Sequence, residues 1–155
     1  MKVTFKVEGF REMDAALAEF SKATAKNILR RTGIEALEPV ADEMRARAPA
    51  QPSGDEDLKN SIAVSTVLNK RQKRLNRDPS VVEVYAGPAG FGGKNAPPQG
   101  VHQEFGNEIH GPQSFARPAW DGQKDQVLDR VRDGLAVQID AATARAQRKA
   151  LKARS

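Results

Sequence analysis

Two histidines, His102 and His110, stand on either side of Glu104 and Glu108. Imidazole and carboxylate groups can hold a metal or move a proton. A metal site needs three or four such ligands converging. This spacing matches no strong ligand motif, and Gly106 turns the chain in the middle of the group. Ser53 and Ser61 have no histidine at a triad spacing. The glycines between 87 and 93 do not form a phosphate-binding loop between a strand and a helix. The carboxylate pairs Asp55/Asp57 and Glu104/Glu108 lie in stretches of loop composition, where nothing desolvates a catalytic acid. Cysteine is absent, which removes disulfides, thiolate metal sites and cysteine nucleophiles. A small hydrolase working through His102 and Glu104 is the enzyme reading left standing, and it is disfavoured. The expectation is a protein with no catalytic residues, no cofactor and no metal.

Charge is the other chemistry available. The 155 residues carry 25 Lys and Arg against 20 Asp and Glu, a formal net charge of +5. The excess is concentrated in two places: Lys70, Arg71, Lys73, Arg74 and Arg77, and the tail with Arg145, Arg148, Lys149, Lys152 and Arg154. These could touch DNA phosphates or an acidic protein surface, or serve as solvated faces. No aromatic residue interleaves with them, which weighs against stacking on single strands. Aromatics make up only 5% of the chain and 29% is charged, a thin core for the length, so partner subunits are expected to complete the burial.

Several elements must carry these residues. Val3, Phe5 and Val7 alternate with polar neighbours, a short strand. From Phe10 the period becomes helical, through Met13, Leu17, Phe20, Ile28, Ile34, Leu37, Val40 and Met44. Gly33 and Pro39 interrupt it, so the long helix over 10–47 is expected to bend or break near 32–39, with Pro49 as its stop. Residues 50–57 read as a loop. Leu58 to Leu68 reads as a strand with Ile62 and Val64 on one face. It returns through Val81 to Ala86, closed by Gly87-Pro88, in an antiparallel hairpin whose tip, 69–79, is long and basic. Residues 87–100 hold five glycines and three prolines, a composition expected to stay outside regular structure. A short apolar run, 101–106, ends at Gly106. Arg117-Pro118 opens a last helix whose face is drawn by Trp120, Val127, Leu128, Val131, Leu135 and Ile139, and the Leu135/Ile139 stripe is expected to pack on the subunit's own sheet, with a partner groove as the open alternative. The fold class is therefore α+β: a small antiparallel sheet packed by a long N-terminal helix and a C-terminal helix. Residues 1–140 form one domain and 141–155 a basic helical tail. The first residues have no signal-type apolar region, and no apolar run approaches the ~18 residues of a membrane helix. A protein made in a cytoplasm-like compartment is expected.

The order of pieces resembles the tail-completion, or head–tail joining, family of long-tailed double-stranded DNA phages. The residues that carry the likeness are Ala48-Pro49, then Ser53-Gly54 with Leu58-Lys59-Asn60-Ser61-Ile62, then Glu104-Phe105-Gly106-Asn107, then Ser114-Phe115-Ala116-Arg117-Pro118-Ala119. They depart from the family pattern in three ways. Asp55-Glu56-Asp57 is inserted, Asn107 stands for a threonine and Ser114 for a proline.

The resemblance implies a virion protein of the neck or tail end, assembled in the host cytoplasm. It implies a homo-oligomeric ring, six-fold or else twelve-fold, around the channel through which packaged DNA passes. Its neighbours would be a head connector, adaptor or stopper on one side and a tail terminator or tail tube protein on the other. Ring contacts are heterologous, one patch meeting a different patch. The interface candidates are Phe91, Trp120 and Arg117, with Arg71, Lys73 and Arg74 of the tip and Arg145 and Arg148 of the tail. Glu104, Phe105, Gly106, Phe115 and Pro118 are read as structural motif, with Phe105 and Phe115 in the subunit's own core. The alternative reading is a basic nucleic-acid-binding module.

Overall fold

A computed structural model describes residues 10–49, 57–66, 82–89 and 99–153. The first strand, the basic tip with Arg71, Lys73 and Arg74, and Phe91 all lie outside these residues.

The element order is α1 (Phe10–Ala18), α2 (Lys22–Arg47), α3 (Asp57–Ser61), β1 (Ile62–Ser65), β2 (Tyr85–Pro88), α4 (Gln99–Phe105) and α5 (Ala116–Lys152). The architecture is α+β and mostly helical, with a two-stranded antiparallel sheet between the long helices.

The break in the N-terminal helix comes at Glu19–Ser21 rather than at 32–39. Ser21 is the N-cap of α2: its Oγ accepts from Thr24 N at 3.3 Å, and its carbonyl accepts from Ala25 N at 3.0 Å. Helix α2 then runs through Gly33 and Pro39 without interruption. A proline inside a helix costs about 3 kcal/mol, and packing on two sides offsets it. Val40 and Ala41, next to the proline, are fully buried. Gly33 is needed where it is, because a Cβ there would come within 2.6 Å of Val84 Cγ2.

Two cores flank α2. One joins Ala36, Val40, Ala41 and Met44 to Leu58, Ile62 and Phe115, with Ala119 and Val127 from α5. The other joins Ile28 to Leu135, Ile139 and Ala142, with Phe10, Met13, Leu17 and Phe20 packed on it. The Leu135/Ile139 stripe therefore meets helices α1 and α2, not the sheet. At the helix crossing, a Cβ on Gly134 would lie 3.0 Å from Thr32 Cγ2. Among the described residues Thr32 Oγ1 is buried there without a hydrogen-bond partner.

The hairpin pairs Ile62 with Pro88 and Ser65 with Tyr85. Its strands are shorter than expected. Residues 57–61 form a helical turn, held by Ser61 Oγ donating to Leu58 O at 2.7 Å. Gly87-Pro88 forms the last two residues of β2 rather than a turn after it. The Arg45 guanidinium donates twice to the Ile62 carbonyl, at 3.1 and 3.0 Å, and pins the start of β1 to the C-terminal half of α2. Two four-residue strands are marginal alone; here α2 packs on both and α3 on β2. No helix of the described residues is long and apolar enough to cross a membrane.

Candidate functional site

Residues 99–105 form a short helix, so the stretch 87–100 is not loop to its end. Gly106 closes α4 with φ +78 and an N–H donated to His102 O at 2.8 Å, the left-handed helix cap that glycine favours. The next ten residues fold back along α4. Asn107 Oδ1 accepts from Ile109 N and His110 N, both at 2.9 Å. Gln113 N donates to Gln103 O at 2.7 Å, and Ser114 Oγ to Glu104 O at 2.8 Å. Asn107 and Ser114 thus both bind the loop to itself or to α4.

Glu104 is the centre of this junction. Its stretch reads as a solvated loop from composition, yet the residue is buried, 9% exposed, and its carboxylate turns inward. Oε2 accepts from Phe115 N at 2.9 Å and Ala116 N at 2.8 Å; Oε1 accepts from Arg117 N at 3.0 Å. A helix start leaves its first four N–H groups without intrahelical partners. Here the carboxylate takes three of them. The fourth position is Pro118, which has no N–H to satisfy. The negative charge also meets the positive end of the helix dipole. Phe115, at the N-cap position, has no side-chain cap of its own and is instead buried to 1% exposure. Glu104 is thereby committed to backbone amides, while His102 stays exposed on α4. Among the described residues no group of three or more His, Asp or Glu side chains could hold a metal ion.

Phe105 does not join Phe115 in the core as its sequence setting predicts: α4 turns it outward to 65% exposure, because the adjacent Glu104 takes the inward face. The Arg117 guanidinium carbon stands 5.9 Å from its ring centroid, a cation–π distance. Val101, one turn earlier on α4, is 63% exposed, and Ile109 at the loop tip is 91% exposed. Trp120 follows Arg117 by three residues, on the same side of α5, and is half exposed. The junction therefore supplies a hydrogen-bonded frame that carries exposed apolar side chains, one of which, Phe105, lies against a guanidinium. Glu108 remains exposed.

A second region lies toward the other end of α5. Between it and the N-terminal half of α2 opens a cleft of about 810 Å³. Phe20, Ile28 and Ile34 line its apolar part, and Arg30, Arg31, Arg145 and Lys149 are on it, with Glu35 the sole acid among its lining residues. Arg145 Nε donates to Ala141 O of its own helix at 3.1 Å. Among the described residues none of the four cations forms an ion pair. The basic tail is a continuation of α5, and Ala142 within it belongs to the second core. Sequence singled out Arg145 and Arg148. Arg30 and Arg31 were missed, since two arginines in a helical pattern read as a solvated face; only the crossing of α2 and α5 brings them to the tail.

A family model described as "Bacteriophage HK97-gp10, putative tail-component" matches residues 11–91, just over half of the chain. No curated protein matches, and no solved structure matches. The matched stretch takes in α1, α2, α3 and both strands and stops short of the Glu104 junction and α5.

Proposed function

The chain belongs to the HK97-gp10-like family of bacteriophage tail components, and from that premise we propose that it completes the neck or tail end of the virion. In this reading copies of the chain form a ring around the DNA channel. The ring meets a head connector, adaptor or stopper on one side and a tail terminator or tail tube protein on the other. The protein acts by assembly and docking, without turning over a substrate. It is made in the host cytoplasm and ends in the particle.

The observation that carries the proposal is the family match. The Glu104 junction supports it. Its exposed side chains, Phe105 and Arg117 with Trp120 nearby, are of the types that anchor interfaces, and they sit on a frame in which the Glu104 carboxylate already pairs with the helix-start amides. A rigid apolar patch ready for a partner loses little conformational freedom on docking.

The experiment is deletion of the coding sequence from the phage, with electron microscopy of the lysate and labelling of this chain in wild-type particles. Unjoined heads and tails in the deletion, with label at the neck or tail end of the wild type, are the expected result. Intact infectious particles without the chain would overturn the proposal.

A further inference from the structure

Resting on the ring reading, we propose that the basic cleft between α2 and α5 receives the acidic segment Ser53-Gly54-Asp55-Glu56-Asp57 of the neighbouring copy. This contact would be the heterologous joint that sets which copies pair.

Charge complementarity is the first support. Four cations without an ion pair among the described residues, Arg30, Arg31, Arg145 and Lys149, gather at one cleft. Asp55-Glu56-Asp57 is the longest run of consecutive acidic residues in the chain. The cleft's apolar part favours a protein segment over a duplex, whose phosphates would leave Phe20 and Ile34 uncovered. Ala50 and Pro52, just before the acidic run, give an incoming segment apolar groups to set there.

Geometry is the second support. The acidic run leads into α3, and Leu58 packs in the core that holds Met44 of α2. Arg45 pins the residue after α3, Ile62, at the same level. The cleft centres on Arg30 and Arg31, about 20 Å away along α2 at ~1.5 Å per residue. Asp55 precedes Asp57 by two residues and so can lie no more than about 7 Å from it. The described end of the acidic run, Asp57 at the start of α3, thus lies toward the end of α2 away from the cleft. A cleft at one end of α2 and an acidic run that leads into α3 at the other end favour head-to-tail pairing, and a head-to-tail contact closes into a ring when its rotation permits.

The test is charge reversal in the full chain, followed by light scattering after size exclusion across protein and salt concentration. Arg145→Glu/Lys149→Glu and Asp55→Lys/Glu56→Lys should each raise the concentration for half-assembly about tenfold or more. Mixed one to one, the two variants should assemble again, because each supplies the charge the other has lost. Arg30→Ser/Arg31→Ser repeats the first variant from the α2 side, and circular dichroism checks that each variant is folded. Wild-type assembly that is indifferent to Asp55→Lys/Glu56→Lys, or a mixture that stays apart, would overturn the contact and leave the ring reading standing. Loss of duplex DNA binding on cleft reversal, with self-association unchanged, would overturn it in favour of nucleic acid. A wild-type chain that stays monomeric at every concentration would remove the ring reading as well.

Discussion

At the first turn of α5, one carboxylate is buried and used by three backbone amides. Some thirty residues further along the same helix, Arg145 and Lys149 stand in solvent beside Arg30 and Arg31, with no carboxylate paired to them among the described residues. The first region is electrostatically complete and the second is open. Completed charge holds a fold together; unpaired, exposed charge adds little to stability and is free for a partner. The contrast separates what α5 needs in order to form from what it can offer once formed.

Glu104→Ala tests the complete end and should have the largest effect. It orphans three N–H groups at a buried helix start, and caps and unsatisfied buried donors together imply a loss of about 3 kcal/mol in denaturant unfolding. Glu104→Gln should lose less, because an amide oxygen still accepts. If Glu104→Ala unfolds at the wild-type midpoint, the contrast fails. Thr32→Val, at the crossing between the two regions, removes an unpartnered buried hydroxyl and should raise stability by about 1 kcal/mol, read as a higher melting temperature. Asn107→Ala removes two turn hydrogen bonds on a surface loop and should cost about 1 kcal/mol by the same melt. At the open end, Arg145→Glu/Lys149→Glu should shift stability by less than about 0.5 kcal/mol. Phe105→Ser and Trp120→Ser should likewise stay within about 0.5 kcal/mol, while incorporation into particles, measured by mass spectrometry of purified virions, falls. A large stability loss at Phe105 would mean that its ring is structural after all.

Periodicity made the long helices, the hairpin and the buried face of α5 legible, because Ile28, Val40, Leu135 and Ile139 recur at helical spacing. It misplaced the break in the N-terminal helix. Gly33 and Pro39 read as local breakers, and local sequence does not reveal that α5 and the sheet pack on that segment from both sides. The cap that marks the true break, Ser21 with Thr24, was in plain view but is a weaker signal than a proline. The start of α5 was legible from Arg117-Pro118. Its partner was not, since composition cannot say which of Glu104 and Glu108 turns inward. The same choice decided Phe105, because whichever of two adjacent residues takes the buried side of α4 sends the other outward. Arg30 and Arg31 belong to a site that exists only where two helices cross, which a linear pattern does not display.

Helix α5 has 37 residues, roughly 55 Å at ~1.5 Å per residue. Each residue along it turns the axis by about 100°. The grip of Glu104 on its first turn therefore sets the angular phase of everything downstream. A slip of one residue at that end would swing Arg145 and Lys149 through more than a quarter circle, away from Arg30 and Arg31. One buried side chain thus acts as the index mark by which a distant row of charges is aimed.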